Sequence, residues 1–338
     1  MTAAPPLTQP AVPAPARSRP WLVADIGGTN ARFGLVDAPG ARPRDVCRLL
    51  CADHPDLASA ARTYLERTGG ARPGAACVAV AGPVEGDRIR LTNARWDCSA
   101  EDTRRELGLA HIEVVNDFAA LALALPRLDG GDLLALGGPP PAARRPMAVL
   151  GPGTGLGVAG LLPAPGGGWV PVSGEGGHVG LSPATDLEIE VLRTLRAGQG
   201  TVTAECVLSG PGMTRLHGAL ARVHGGAAAA PLPAERICDT ADEDPLCALT
   251  LEVFCALLGG FAGDCALTLG ATGGVFVGGG IAPRIAEVLQ RSDFRIRFES
   301  KYRMTDYVKD IATVLITAPT PALLGTAARL DQCLETTP

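Results

Sequence analysis

Three short apolar segments of the chain each run directly into a glycine-rich turn, and this repeated pattern constrains the fold most strongly. The segments span residues 21–37, 147–162 and 273–289. The first two read as strand, turn and returning strand, whereas the third reads as strand, triple-glycine turn and helix. Glycine tolerates positive φ, so consecutive amides in such turns can point at one anion. A glycine hairpin in each half of the chain predicts an α/β protein that holds a nucleotide in a cleft between two half-domains.

The turn residues of these segments are the candidate nucleotide ligands. They are Gly27, Gly28, Thr29 and Asn30 in the first turn, Gly153, Thr154 and Gly155 in the second, and Gly278, Gly279 and Gly280 in the third. Asp25 ends the first strand beside its turn, where a carboxylate is suited to Mg²⁺ held through water. An ordinary hairpin capped by Asp25 is the structural alternative, and the first turn taken by itself does not exclude it.

An aspartate stands where the chain passes from a buried strand to an apolar helix. Val114 and Val115 are typical of a strand end, and 118–125 contains strong helix formers. Asp117 at this junction loses water, which is costly without a partner. The motif alone allows two explanations, a functional carboxylate and a simple helix cap.

Composition excludes several classes of protein. The 338 residues carry a net charge of −5 with both signs interspersed, so nucleic acid is not an expected partner. No apolar run reaches the roughly 18–20 uninterrupted residues of a membrane span, because Glu252 and Asp264 interrupt the most apolar segment, 248–269. Lys301 and Lys309 are the only lysines. A Walker A loop and a protein-kinase site both need a lysine in a pattern that this chain lacks.

The remaining segments fit a reduced, globular protein. Ten cysteines show no zinc-binding spacing and predict buried thiols in a reducing cytoplasm. Residues 1–20 are rich in proline and alanine, lack the apolar core of a secretory signal, and are expected to be a disordered extension. A capping box at Thr185–Glu188 predicts a helix that ends near Gly198. Residues 248–269 and 321–334 predict two further helices.

The order of five motifs resembles the bacterial glucokinase family, in the hexokinase branch of the actin-like ATPases. The motifs are Asp-Ile-Gly-Gly-Thr-Asn (25–30), Val-Val-Asn-Asp-Phe-Ala-Ala (114–120), Gly-Pro-Gly-Thr-Gly-Leu-Gly (151–157), Gly-Glu-Gly-Gly-His (174–178) and Gly-Gly-Val-Phe-Val-Gly-Gly-Gly (273–280). The resemblance implies a two-domain ribonuclease H-like α/β fold with an inter-domain cleft. It places the small domain at 21–127 plus 318–338 and the large domain at 128–317.

The resemblance also implies an activity and a set of site residues. The activity is ATP- and Mg²⁺-dependent phosphorylation of D-glucose at its 6-hydroxyl in the cytoplasm, with Asp117 as the general base. The sugar-binding residues it implies are Asn116, Asp117, Glu175, His178, Glu205 and, more weakly, Asn93. The glycines around Glu175 and His178 favour a loop there rather than a helix.

Other functions remain open at the level of sequence. Mannose, fructose or an amino sugar could be the substrate, because the stereochemistry of hydroxyl groups is read by small displacements that a sequence does not show. Related kinases carry a cysteine-rich zinc loop after the histidine, but 179–185 has no cysteine, so no structural zinc is expected. A sugar-responsive regulator would need a DNA-binding segment, and a mechanical ATPase would not need the sugar-side acids. Members of the family often form homodimers, which no segment here demands.

Overall fold

The computed structural model describes residues 19–82, 84, 86–90, 96–226 and 231–335. Most of the predicted amino-terminal extension and the candidate sugar ligand Asn93 lie outside these residues.

The first sheet is built by the amino-terminal third of the chain. Its strand order is β3-β2-β1-β4-β7, and β5 and β6 form a separate two-stranded ribbon. The three strands β1, β4 and β7 are parallel, whereas β1, β2 and β3 are antiparallel neighbours. The strands of this region are β1 (Trp21–Ile26), β2 (Asn30–Val36), β3 (Arg44–Leu50), β4 (Ala75–Val80), β5 (Arg88–Arg90), β6 (Asp97–Ser99) and β7 (His111–Asn116).

The second sheet repeats this arrangement. Its order is β11-β10-β9-β12-β13-β8, so an antiparallel meander is again followed by two parallel strands, with β8 added at the edge. Two copies of one sheet topology confirm the predicted ribonuclease H-like α/β fold. The strands are β8 (Leu133–Gly137), β9 (Met147–Pro152), β10 (Leu156–Pro163), β11 (Trp169–Gly174), β12 (Gly274–Val277) and β13 (Thr313–Ile316).

Eleven α-helices cover the sheets within the described residues. The predicted capping box is confirmed, since Thr185 and Glu188 hydrogen-bond each other's backbone amides at the start of α4. The helices are α1 (Leu57–Arg67), α2 (Ala100–Leu107), α3 (Asp117–Ala124), α4 (Asp186–Gln199), α5 (Gly210–Val223), α6 (Ala234–Thr240), α7 (Pro245–Leu269), α8 (Ala286–Arg291), α9 (Phe294–Glu299), α10 (Thr305–Lys309) and α11 (Pro321–Glu335).

Helix α7 is long and apolar enough to cross a membrane by length and composition, but its most apolar window is 72% buried inside the protein. Its side chains form the centre of the largest core, together with α5 and α9. Helix α7 is therefore the central helix of this hydrophobic core. The buried helix predicted over 248–269 is confirmed.

Helices α3 and α11 form a layer between the two sheets. Leu121 and Leu123 of α3 pack on the second sheet, whereas Leu323 and Leu330 of α11 pack on the first. The helices touch at Gly325, where a Cβ atom would lie 1.6 Å from the carbonyl oxygen of Ala120. Only glycine permits this approach. The domain limits inferred above stay a prediction, because α3 follows the first sheet in the chain but packs on the second.

Candidate active site

Loops from both sheets meet beside the amino terminus of α3. They are the β1–β2 hairpin, which contributes Asp25 and Arg32 from its strands, the β7–α3 junction, the loop after β12 and the segment between β13 and α11. A cavity of about 400 Å³ lies among them. Its lining includes Asp25, Arg32, Asp117, Gly278, Gly279, Gly280 and Thr317. Two carboxylates and the triple-glycine turn, which are far apart in sequence, are thus brought together as the motifs predict.

Asp117 is held rigidly at the start of α3. Asn116 is the N-cap, and its Oδ1 accepts hydrogen bonds from the amides of Phe118 (2.9 Å) and Ala119 (3.2 Å). Oδ1 of Asp117 also accepts from the Phe118 amide, at 2.9 Å. Because Asn116 performs the capping, Asp117 is not needed for that purpose. The alternative explanation, that Asp117 serves only as a helix cap, is therefore weakened.

Burial makes Asp117 more basic than an ordinary aspartate. Loss of solvent is the largest cause of its raised pKa, which is about 6, and the negative charge of Asp25 adds to the rise. The hydrogen bond from Phe118 opposes it. A carboxylate with this pKa is ionised at neutral pH and accepts a proton more readily than an exposed one.

Asp25 and Arg32 form a charged pair on the first hairpin. The two residues are directly opposite in the β1–β2 register, and Nη1 of Arg32 lies 3.1 Å from Oδ2 of Asp25. Burial raises the pKa of Asp25, although Arg32 partly offsets this. Arg32 is a site residue that the motif reading missed. Its position seven residues after Asp25 across a two-stranded turn would have revealed it.

The site has the character expected of a magnesium site. Asp25 and Asp117 share one cavity with a single arginine, so the group carries a net negative charge. Both are hard oxygen donors, the type that Mg²⁺ prefers. A divalent cation would relieve the cost of keeping two carboxylates ionised in a partly desolvated cleft.

The second and third glycine turns interlock through their backbones. The Gly278 amide donates to the Leu150 carbonyl at 2.8 Å, and the Ile281 amide donates to the Pro152 carbonyl at 3.2 Å. Gly279 has φ of +80°, and a Cβ there would lie 2.4 Å from the oxygen of Pro152. These contacts explain why Gly279 carries no side chain, and they fix the direction of the Gly278 and Ile281 amides.

Two other glycines of the second motif make room for Phe118. A Cβ on Gly157 would lie 1.9 Å from the ring of Phe118, and one on Gly151 would lie 3.1 Å from it. Phe118 follows Asp117 directly, so its ring anchors the α3 amino terminus on the β9–β10 hairpin. By contrast, a Cβ on Gly153 would meet its nearest heavy atom only at 4.0 Å.

Gly153 and Thr154 belong to a neighbouring cavity of about 440 Å³. Pro211 and Ile281 contribute apolar surface to it, and Arg284 contributes charge. This cavity shares Gly280 with the cavity of Asp117, so the two spaces adjoin at the triple-glycine turn.

Glu205 connects two loops of the second sheet. Its Oε2 accepts from the Leu156 amide at 2.8 Å, and its own amide donates to the Gly177 carbonyl at 2.8 Å. A Cβ on Gly155 would lie 2.5 Å from the same Oε2. Gly155 therefore makes room for a carboxylate, and one oxygen of Glu205 is occupied by the backbone.

Glu175 precedes, and His178 ends, a single 3₁₀ turn over Gly176–His178, where the sequence favoured a loop. Their side chains are 73% and 57% exposed, and Nε2 of His178 lies 3.9 Å from Oε2 of Glu175. Glu175 lines a cavity of about 420 Å³ together with Asn116 and Arg329. The structure thus brings Glu175 to Asn116, whereas His178 is not among the residues that line this cavity.

The amide of Asn116 is already engaged on both sides. Its Oδ1 caps α3, and its Nδ2 donates to the carbonyl of Gly82 at 3.1 Å. One Nδ2 hydrogen is left for a ligand. The candidate sugar residues therefore differ in availability, with Glu175 and His178 open to solvent and Asn116 and Glu205 largely committed to the fold.

Two sheets of one topology, with two partly buried carboxylates and interlocked glycine turns between them, define the sugar-kinase class of the actin-like ATPase fold. A family model described as Glucokinase matches residues 22–333. The chain is 49% identical over 319 residues to a glucokinase of Aromatoleum aromaticum, covering 93% of this chain and 96% of that one. It is 47% identical over 312 residues to a glucokinase of Chromobacterium violaceum, covering 92% and 89%. The chain belongs to the glucokinase family.

Solved structures agree with this assignment. A glucokinase from an Antarctic psychrotroph is 39% identical, with a TM-score of 0.87 over 93% of this chain and 99% of that chain. A ROK family glucokinase from Streptomyces griseus, in complex with glucose and AMPPNP, is 19% identical with a TM-score of 0.63, over 93% of this chain and 99% of that chain. The second likeness shows the shared fold.

Proposed function

We propose that the protein transfers the γ-phosphoryl group of ATP to the 6-hydroxyl of D-glucose, with Asp117 as the general base. Membership of the glucokinase family makes it an ATP-dependent glucose kinase, and the residue roles are the proposal. The observation that carries these roles is the partly buried Asp117, with a pKa of about 6, in one cavity with Asp25 and the triple-glycine turn.

Asp117 accepts the proton of the 6-hydroxyl as that oxygen attacks phosphorus. A hydroxyl is a far weaker acid than a carboxyl group, so the proton moves as the new P–O bond forms rather than before. The rigid capping by Asn116 holds the acceptor oxygen in place without reorganisation. Positioning and charge stabilisation, rather than covalent chemistry, supply the catalysis in such reactions.

The nucleotide extends from the triple-glycine turn into the adjoining cavity. The second and third turns contact the phosphates through Gly153, Thr154, Gly155 and Gly278 to Gly280. The amides of Gly153 and Gly278 already donate to backbone carbonyls, so the other amides of the two turns would be the donors. The 440 Å³ cavity beside Gly280 takes the adenosine, because it offers apolar surface at Pro211 and Ile281 with polar groups nearby.

The first hairpin completes the phosphate site. Gly27 to Asn30 form a tight turn in which the Gly27 amide donates to the Asn30 carbonyl at 2.9 Å, and Thr29 is exposed. A bound Mg²⁺ would supply positive charge to offset the negative charge that develops on phosphoryl transfer. Asp25 would hold it through water, and Arg32 keeps the Asp25 carboxylate oriented.

The sugar enters beside Asn116 and Glu175. Glu175, His178 and the remaining oxygen of Glu205 bind hydroxyl groups, and Asn93 stays a predicted ligand. The two sheets close over sugar and nucleotide, with 21–127 plus 318–338 moving relative to 128–317, and this limits the access of water to the phosphate. We place the reaction in the cytoplasm. A homodimer stays a prediction.

A panel of hexoses in an assay that couples ADP release to an optical signal tests the substrate. Glucose is expected to give the highest kcat/KM, and mannose, fructose or glucosamine in its place would select the alternative kinases. Without hexose-stimulated ADP release, a sugar-responsive regulator would be the better description.

Asp117→Ala tests the base. A general base contributes about 10²–10⁴-fold to the rate, so kcat should fall by that factor while the KM for ATP changes little. Asp306→Ala is the control, because Asp306 is 99% exposed on a distant helix. A kcat for the Asp117 variant near that of the control would remove Asp117 from the mechanism.

A further inference from the structure

Four side chains with acid–base or metal-binding chemistry meet at the outer edge of the first sheet, away from the catalytic cavity. His111 and Glu113 alternate on β7, the edge strand, and face Arg329 and Cys333, one turn apart on α11. Nε2 of His111 lies 3.4 Å from Oε1 of Glu113. Nη2 of Arg329 lies 3.3 Å from the other carboxylate oxygen, and the Cys333 thiol hydrogen-bonds the same carboxylate.

Three of these residues have the spacing of metal ligands. One ligand atom from each of His111, Glu113 and Cys333 lies within 4.8 Å of the other two. Small adjustments of side-chain torsions would bring all three to one ion, because donor atoms around a tetrahedral zinc are separated by somewhat less than this.

The imidazole of His111 gives independent evidence for a bound cation. Nε2 of His111 is buried, and it has no hydrogen-bond partner among the described residues despite its closeness to Glu113. A buried polar atom without a partner is costly and calls for an explanation. An ion between the imidazole and the carboxylate would satisfy both.

We propose that Nε2 of His111, Oε1 of Glu113 and Sγ of Cys333 bind a borderline-soft divalent cation of the zinc type, with a fourth position open to water. Nitrogen and sulfur donors select such ions over Mg²⁺, so the catalytic metal does not compete. Arg329 occupies the second oxygen of Glu113, which orients the carboxylate in the manner of outer-shell partners. The exposed fractions of His111 (37%) and Glu113 (25%) leave a path for the ion.

This site is separate from the cysteine-rich zinc loop of related kinases, which the segment after His178 lacks. It joins β7 to α11. Three residues beyond Glu113, β7 ends at Asn116, and Arg329 lines the cavity that Asn116 and Glu175 share. A bound cation would therefore tie together two elements that meet beside the sugar site, and should raise the unfolding temperature of the protein.

Titration of the full-length protein with Co²⁺, which takes the same ligands as zinc, tests the site. One equivalent should bind with a thiolate-to-cobalt charge-transfer band in the near ultraviolet, and Zn²⁺ should abolish the band. Cys333→Ser should lose the band, whereas Cys47→Ser, which removes a partly exposed thiol from the same sheet, should keep it. Both variants should keep the glucose phosphorylation rate measured in Mg²⁺, which also reports folding.

A second variant, His111→Gln, tests whether the imidazole is a metal ligand. It also tests the site if Cys333→Ser fails to fold. His111→Gln should retain a thiolate band but weaken Co²⁺ binding by at least about tenfold. Absence of the band in the unaltered protein, its survival in Cys333→Ser, or unchanged affinity in His111→Gln would each overturn the proposal.

Discussion

Replacing Asp117 by asparagine should make the protein more stable at neutral pH while making it inactive. The pKa of this carboxyl group is raised from 3.8 to about 6, mainly by burial. A rise of this size corresponds to roughly 3 kcal/mol of net unfavourable interaction with the ionised form. The favourable contacts at the amino terminus of α3 lower the pKa and are already included in this net figure. The expected gain in the free energy of unfolding is therefore about 3 kcal/mol.

The gain should depend on pH with a definite sign. Because the folded-state pKa lies above the unfolded value, the folded chain binds more protons than the unfolded chain between pH 3.8 and about 6. The stability of the unaltered protein therefore falls as pH rises through this window, and it is constant above it with respect to this group. The difference between variant and parent should be full at pH 7.5 and mostly lost near pH 4.

Urea unfolding at pH 7.5 and pH 4 measures this difference. Asp306→Asn is the matched control, because Asp306 also lies in the first turn of a helix but is 99% exposed. It should shift neither curve. If Asp117→Asn is no more stable than the parent at pH 7.5, or if the difference is equal at both pH values, then burial does not raise the pKa of Asp117 as argued.

Two other predictions test the packing and the charges around the base. Gly157→Ala should cost about 1–3 kcal/mol of stability and lower kcat, because its Cβ would lie 1.9 Å from the Phe118 ring, whereas Gly153→Ala, with 4.0 Å of space, should be nearly neutral in urea unfolding. Equal losses in the two variants would disprove the packing argument. Arg32→Gln should raise the KM for MgATP and lower kcat, since Asp25 loses its 3.1 Å partner and becomes easier to protonate; unchanged steady-state constants at pH 6.5 would contradict this.

The architecture was predictable because its signals are local. Alternating apolar strands, glycine turns and the Thr185–Glu188 capping box specify elements over a few residues, and the structure confirms them. The convergence of Asp25 and Asp117 was inferred from the order of motifs, and it follows because both lie at the carboxyl ends of parallel strands of the first sheet, β1 and β7. The second sheet brings the triple-glycine turn after β12 to the same cavity.

The contacts that the sequence did not reveal depend on side chains that meet from distant parts of the chain. A sequence motif does not distinguish a glycine that exposes its amide to phosphate from a glycine that makes room for an aromatic ring. Gly157 accommodates Phe118, and Gly155 accommodates Glu205, which lies 50 residues further along the chain. Arg32 is a different case, because it lies only seven residues from Asp25 and its pairing with Asp25 could have been predicted from the register of the hairpin.

The position of Asp117 in the fold explains how one carboxylate can serve both substrates. The strand before it, β7, belongs to the first sheet, while the helix after it, α3, packs on the second through Phe118 and Leu121. The peptide between Asn116 and Asp117 therefore lies at the boundary of the two sheets. The groups that we propose bind sugar approach it on the side of Asn116, and the turns that we propose bind phosphate approach it on the side of Phe118. Relative motion of the sheets would bring these two surfaces together around a base that stays close to the pivot, so closure can exclude water without displacing the base.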